Sequence, residues 1–116
     1  MKQAGQIILF RLPQTDFGEG KLRPALLLGK LPGRYDDWLI CMISSQLHHE
    51  INNFDEVIKE SDSDFTLSGL KAPSLIRIGR LAVVEASYLA GSIGTISAER
   101  LARIQRKISE WLIKEL

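Results

Sequence analysis

Runs of bulky apolar residues separated by polar turns predict β-strands over the first part of the chain. The first run, Gln6 to Leu12, is followed by Pro13, and a second begins at Arg23 with the letters PALLLGKL. Between them, residues 15–20 are polar with two glycines and are typical of a loop. A third run, Trp38 to Ile43, is apolar throughout, as in a strand buried on both faces. Three strands in succession are therefore expected.

The middle of the chain, Ser44 to Lys71, is polar and weakly periodic. We interpret it as loops with one or two short strands, and we expect further strands between it and the C-terminal segment. The segments with strand-like composition are Phe54–Ile58, Phe65–Leu67, Ser74–Ile78 with its extension Leu81–Val84, and Gly91–Ile96.

The C-terminal segment has the clearest helical pattern. Ser97 is a good N-cap, and Glu99 in the first turn complements the helix dipole. Helical spacing relates the apolar residues Leu101, Ile104, Ile108, Trp111, Leu112 and Leu116, which we expect to pack on the sheet, with part of them lining a dimer. The other face carries Arg100, Arg103, Arg106 and Lys107. We expect a solvated surface there rather than an RNA-binding one. Several strands followed by one helix predict a mainly β fold, a curved sheet or small barrel.

The length, net charge and cysteine content of the chain limit the kinds of protein that it can be. Its 116 residues fit one domain, 1–116, and the net charge of +1 means that a nucleic-acid partner would need a local basic patch. The single cysteine, Cys41, lies in an apolar run and is expected to be buried. With no apolar run long enough to span a membrane or resemble a signal peptide, we expect a cytoplasmic protein.

Short motifs, in a consistent order along nearly the whole chain, resemble one family. They are Gly5–Leu9, Thr15-Asp16, Lys21–Leu28, Ile43-Ser44-Ser45, Lys71–Arg77 and Ile93–Ser97. Together they resemble the MazF/PemK toxins of type II toxin–antitoxin systems. The resemblance implies an SH3-like small β-barrel of the CcdB/Kid/MazF type with a C-terminal α-helix. It also implies a homodimer that cleaves single-stranded RNA without metal or other cofactor and is neutralised by a cognate antitoxin.

The sequence departs from that family's pattern at three positions. Gln6 replaces the usual Asp, Ser44 replaces the usual Thr, and Gly79 stands where the family has an acidic or polar residue after Arg77. With glycine at position 79, the acidic or polar side chain that the family has there is missing from the expected catalytic residues.

RNA can be cleaved by its own 2′-hydroxyl, so the protein need not supply a nucleophile. It must orient the attack, stabilise charge on the phosphoryl oxygens and move protons. A guanidinium binds phosphate through paired charged hydrogen bonds, which makes Arg23 the main catalytic candidate. The hydroxyl of Ser44 is the second candidate. The competing interpretations are a surface arginine beside a strand and a capping serine.

The remaining candidates surround these two residues in the sequence. His48 and His49 are possible acids or bases, although loop histidines are usually bystanders. Phe17 could stack on a base, and we expect contacts to phosphate or base edges from the residues Lys21, Ser45, Gln46 and Arg77. The spacing of the histidines with Glu50 and Asp55 does not fit a metal site, so no metal is predicted.

Two other functions stay open at this stage. The related gyrase-poisoning toxins share the barrel but bind a protein and have no nuclease site, and fold alone cannot separate the two classes. The departures at Gln6 and Gly79 also fit an inactive toxin that only binds an antitoxin or RNA. The pair of Arg23 and Ser44 favours the ribonuclease.

Overall fold

β-Strands are the main regular elements of the fold, and the computed structural model describes residues 2–11 and 21–114. Within those residues the strands are β1 Gln6–Arg11, β2 Leu22–Lys30, β3 Asp37–Ser44, β4 Glu56–Ile58, β5 Ser74–Glu85 and β6 Leu89–Thr95. The helices are α1 Phe65–Ser68 and α2 Ala98–Lys114, with single 3₁₀ turns at Leu47–His49 and Ala86–Tyr88. The predicted strands are thus confirmed with small changes at their ends, except at Phe65–Leu67. The loop over residues 15–20 lies outside the described residues.

The segment Phe65–Leu67, predicted as a strand, is helical instead. Its apolar residues are two apart, which is too short a pattern to separate a strand from one turn of helix. The backbone N–H of Ser68 donates to the carbonyl of Asp64 at 3.0 Å, and Gly69 ends the turn with φ 73°. Only glycine adopts this left-handed conformation at little cost. The glycine therefore decides the local structure here.

One antiparallel sheet contains all six strands in the order β4-β5-β3-β2-β1-β6. β4 and β6 are its edges, so no ladder of hydrogen bonds closes it into a barrel in the described part of the chain. α1, which follows β4, packs on β6 instead. The contact brings backbone against backbone, because a Cβ at Gly94 would overlap the carbonyls of Leu67 and Ser68. The mainly β fold with a C-terminal helix is confirmed.

Two apolar clusters lie on opposite faces of the sheet. The first contains the buried residues Ile7, Leu26, Leu28, Cys41, Ile43, Ile58, Ile76, Ile78, Ile96 and Ile104, so it is the cluster covered by α2. The second contains Ile8, Phe10, Ala25, Leu27, Trp38 and Ile40, with Met42 packed against it.

Burial of Cys41 is confirmed, and burial followed by the charge of Asp55 raises the pKa of its thiol to about 12. None of the helices in the described residues is both long and apolar enough to cross a bilayer.

α2 begins as its sequence predicts but packs over only part of its length. The Oγ atom of Ser97 accepts a hydrogen bond from the backbone N–H of Arg100 at 3.1 Å, which confirms the N-cap. Ile104 is fully buried, and Leu101 and Ile108 pack beside it. At the last turn Trp111 is 47% and Leu112 is 53% exposed, so this part of the apolar face is only partly covered by the sheet and stays the part expected to line a dimer. Leu116 lies outside the described residues.

The basic face of α2 is not a solvated surface at Arg100, contrary to the sequence prediction. The guanidinium of Arg100 is buried and pairs with Asp64 at 2.8 Å, Glu56 at 3.0 Å and Asp62 at 3.2 Å. Arg103 and Lys107 also contact Glu56, at 3.0 and 2.9 Å. These contacts tie α2 to β4 and to the segment before α1. The polar middle of the chain thereby supplies the counter-charges for the helix.

The pKa values of the buried carboxylates show the direction of this coupling. Burial by itself would raise the pKa of Glu56, but hydrogen bonds from Arg103 and Lys107 hold it below its ordinary value. Burial acts likewise on Asp64, whose pKa is lowered by hydrogen bonds from Arg100 and the backbone of Ser97. The charged forms of both carboxylates are therefore favoured in the folded protein.

We expect Arg100→Met to lower the free energy of unfolding by about 3–5 kcal/mol, because it leaves buried carboxylates without their cation. Urea denaturation measures the loss. The control is Arg106→Met on the same helix, where the side chain is exposed and a change within about 0.5 kcal/mol is expected. Equal effects from the two variants would contradict the structural role of Arg100.

The same network predicts acid sensitivity. Carboxylates with lowered folded pKa values contribute stability that is complete above their ordinary values, 4.5 for Glu56 and 3.8 for Asp64. That contribution is lost as the pH falls through the lower, folded values. The wild type should lose stability steeply below about pH 4.5, and Arg100→Met should show a shallower dependence.

Candidate active site

Arg23 and Ser44, the two catalytic candidates, lie on one face of the sheet at adjoining strand ends. Ala25 on β2 is opposite Met42 on β3. Carrying this antiparallel register two residues further brings Arg23 opposite Ser44. Side chains two residues apart on a strand share a face, and opposite Cβ atoms are roughly 5 Å apart. Arg23 is exposed and Ser44 is half-buried, so both can be reached by a ligand.

Arg77 joins this pair from the other side of β3. It is opposite Met42 in the pairing of β3 with β5. Its neighbours Ile76 and Ile78 belong to the cluster under α2, so Arg77 points to the opposite face with Met42. Met42 therefore lies between the positions of Arg23, Ser44 and Arg77. Three predicted site residues from three neighbouring strands therefore share this face of the sheet.

The hydroxyl of Ser44 also has a structural role. Its oxygen accepts a hydrogen bond from the backbone N–H of Gln46 at 3.0 Å, which fixes the chain as it leaves β3. The competing interpretation of a capping serine matches this contact. Accepting a hydrogen bond leaves the hydroxyl proton available for donation. The serine can therefore hold the turn and still donate to a phosphate.

His48 and His49 lie on the 3₁₀ turn that follows, and both are exposed. Their ring centroids are 4.3 Å apart in an edge-to-face arrangement. The pKa of His49 lies below its ordinary value of 6.5, first through desolvation by its surroundings and then through the charges of His48, Arg77 and Arg80. The turn that carries His49 also contacts β5, the strand of Arg77 and Arg80. At neutral pH the imidazole of His49 is uncharged and can accept a proton.

The predicted RNA contacts differ in how far the structure describes them. Ser45 and Gln46 are exposed on the turn after β3. Lys21 is exposed and directly precedes β2. Phe17 lies outside the described residues. Lys21, Ser45 and Gln46 therefore lie at the same strand ends as Arg23 and Ser44.

β5 contains an irregularity that the sequence did not predict. Cys41 is opposite Leu81, whereas the next residue, Met42, is opposite Arg77, so residues 78–80 have no partner on β3. Such bulges bend a strand and re-aim its side chains. Gly79 lies within this bulge, and Arg80 next to it contributes to the positive field at His49. Arg80 was missed because the sequence indicates a strand there without indicating its register.

Asp55 is a second buried or bulge-associated residue whose contacts the sequence did not predict. It is only 6% exposed, and its carboxylate accepts backbone hydrogen bonds from Ile51 at 2.9 Å and from Ile78 at 3.0 Å. Nothing in the local sequence shows these partners, because one of them is 23 residues away. Within the described residues, no group of three His, Cys, Asp or Glu side chains is arranged to bind a metal ion.

One protein family matches the chain over nearly its whole length. The family model described as PemK-like, MazF-like toxin of type II toxin-antitoxin system matches residues 3–112. That match covers every strand and nearly all of α2. No curated protein matches the chain in sequence.

We expect Arg77→Ala to raise the pKa of His49 toward 6.5, because it removes a positive charge that disfavours the imidazolium. The return should be partial, since desolvation and the charges of His48 and Arg80 persist. Titration of the His49 ring followed by NMR measures the change. Arg34→Ala, which removes an exposed arginine from the β2–β3 turn, is the control and should have no effect. An unchanged His49 pKa in Arg77→Ala would show that the charge of Arg77 does not act on His49.

Proposed function

The chain belongs to the PemK-like, MazF-like family of type II toxins, and from that premise we propose that it is an endoribonuclease that cleaves single-stranded RNA without a metal ion. The observation that carries the proposal is the shared face of Arg23, Ser44 and Arg77 around Met42. Two guanidiniums and a hydroxyl on one accessible face suit a phosphodiester, because they offer charged and neutral donors to its oxygens.

The proposed reaction is an internal phosphoryl transfer. The 2′-oxygen of the RNA attacks the adjacent phosphorus and forms a new P–O bond, while the bond from phosphorus to the 5′-oxygen breaks. The 2′-hydroxyl loses its proton to a base, and the leaving 5′-oxygen gains one. The products are a 2′,3′-cyclic phosphate and a 5′-hydroxyl. No water or cofactor enters this step.

Each site residue then has a role that matches its chemistry. Arg23 stabilises the charge that grows on the phosphoryl oxygens, since a guanidinium keeps its proton up to about pH 12. Ser44 donates its hydroxyl proton to a non-bridging oxygen, and Arg77 contacts the phosphate from the opposite strand. His49 accepts the proton of the 2′-hydroxyl, a role that its lowered pKa supports because the neutral ring is the reactive form.

The rest of the RNA would follow the strand ends around this centre. Lys21 supplies a positive charge close to Arg23, and Ser45 and Gln46 present polar groups on an exposed turn. Phe17 remains our candidate for stacking on a base. Lys21, Arg23 and Arg77 would supply the local positive charge that a chain with a net charge of only +1 requires in order to hold RNA.

The family also implies an antitoxin partner, because its members are the toxins of type II toxin–antitoxin systems. We propose that the active form is a homodimer and that it acts on RNA in the cytoplasm. Exposed apolar residues support the dimer: Trp111 and Leu112 at the end of α2, and Leu81 and Val83 on β5. Trp111 and Leu81 line an apolar groove of about 510 Å³ between α2 and the bulge of β5.

We expect Arg23→Ala to lower the cleavage rate by on the order of a hundredfold or more, as loss of one transition-state donor does, without changing the fold. The measurement is cleavage of a mixed-sequence RNA in the presence of a chelator, with mapping of the new ends. Arg34→Ala is the matched control, because it removes an exposed arginine beyond the other end of β2. It should cleave at the parental rate.

Three outcomes of this experiment would contradict the proposal in different ways. A parental rate in Arg23→Ala would remove Arg23 from the mechanism, and activity that a chelator abolishes would contradict cleavage without metal. Absence of cleavage by the wild type would instead favour a protein-binding toxin of the gyrase-poison type, or an inactive toxin.

We expect the wild type to be dimeric at micromolar concentration. Replacing Trp111 and Leu112 together by Ser should shift the equilibrium toward monomers, because it removes exposed apolar surface. The control is Leu67→Ser on α1, where the leucine is 62% exposed. Light scattering or sedimentation gives the masses, and a monomeric wild type would rule out the dimer.

A further inference from the structure

Asp55 is a buried carboxylate that lies in none of the roles proposed above. It precedes β4 directly, and its carboxylate bridges two parts of the chain that are distant in sequence. One oxygen accepts from the backbone N–H of Ile51, just after the turn that carries His48 and His49. The other accepts from the backbone N–H of Ile78, in the bulge of β5.

The bond to Ile78 compensates for the irregularity of β5. Residues 78–80 have no partner on β3, and the pairing of β4 with β5 ends at Glu56 opposite Ile76, so Ile78 has no ladder partner on either neighbouring strand. A buried N–H without an acceptor is costly, and such groups are almost always paired. Asp55 supplies the missing acceptor. The bulge is therefore held in place by a side chain and not by the ladder alone.

The bond to Ile51 fixes the other half of the arrangement. The 3₁₀ turn is internally bonded, from His49 N–H to the Gln46 carbonyl and from Glu50 N–H to the Leu47 carbonyl, both at 3.1 Å. Asp55 anchors its C-terminal end at Ile51, and the backbone N–H of Asp55 donates in turn to the carbonyl of Ile51 at 3.0 Å. One residue thus links the turn to the bulge.

We infer that Asp55 is a positioning residue that holds the histidine turn against the bulge of β5 and so sets His49 beside Arg77 and Arg80. The inference rests on the proposed function only for its effect on cleavage. The geometric claim concerns the backbone contacts of one carboxylate. A carboxylate suits the task because each of its two oxygens accepts one of the N–H groups, whereas in an amide of the same size one of these oxygens is replaced by an NH₂ donor.

The test compares Asp55→Asn with Asp64→Asn. Both replace a buried aspartate that accepts a backbone N–H from a distant segment, but Asp64 lies in the network of Arg100, on the other side of the sheet from Arg77. Unfolding measurements give the stability of each, and all readings are made where both are folded. Loss of stability alone should affect the two variants alike.

The decisive reading is the NMR titration of the His49 ring. His48 on the same turn and Arg77 and Arg80 on β5 are the charged groups that act on His49. In Asp55→Asn we expect the pKa of His49 to rise toward its ordinary value, since the turn moves away from the two arginines. In Asp64→Asn we expect no change. Cleavage by Asp55→Asn should fall in kcat by up to about a hundredfold with little change in KM, as for a misplaced catalytic group.

A second variant covers the case in which Asp55→Asn does not fold. Ile51→Pro keeps the carboxylate and deletes one of its two N–H donors, and the preceding Glu50 already has a ψ of 130°, as a residue before proline prefers. The same rise in the His49 pKa is expected. An unmoved His49 in a folded Asp55 or Ile51 variant would overturn the inference, as would an equal shift in Asp64→Asn. Because the titration needs no RNA, it stands even if the wild type cleaves nothing.

Discussion

The change of register between β3 and β5 is the constraint on which the arrangement of the site depends. The pairing moves by three residues between Cys41 and Met42. Because the shift is odd, it exchanges the faces to which odd and even residues of β5 point. Before it, Ile76 and Ile78 belong to the cluster under α2, and after it Ala82 and Val84 pack on the opposite cluster. One twelve-residue strand thus serves both cores and still presents Arg77 on the face shared with Arg23.

Polar groups from the middle of the chain hold this sheet together at its irregular places. Arg100 ties α2 to the carboxylates of Glu56 and Asp64, while Asp55 closes the bulge. Both contacts bury charged side chains together with hydrogen-bonding partners from distant parts of the chain. Breaking such a contact costs more than its formation contributes, because the partner stays buried and unpaired. The segment 50–64, poor in regular structure, is therefore what fixes the geometry of the regular elements.

The sequence alone predicts the elements well and their connections poorly. Local composition placed all six strands near their observed bounds, and Ser97 marked the start of α2, because these signals are local. The error at Phe65–Leu67 arose where two apolar residues fit either period. The burial of Arg100 was missed because helical spacing shows which residues share a face but not which carboxylates meet them. The candidate pair of Arg23 and Ser44 came from the family resemblance, whereas Arg80 and Asp55 depend on a register that no local pattern encodes.

The glycine at position 79 raises the question of what takes the proton under the proposed reaction. A side chain there would find space beside Phe54, since a Cβ would lie 3.4 Å from its ring, so the fold itself does not require glycine for want of room. With no carboxylate at that position, the charges on β5 that act on His49 are those of Arg77 and Arg80, and both are positive. A positive field stabilises the phosphorane and at the same time lowers the pKa of His49. The lowered pKa weakens the imidazole as a base but enlarges the neutral fraction that can act at pH 7. A carboxylate at 79 would oppose both effects, so glycine at this position and histidine at 49 are mutually consistent under the proposed reaction.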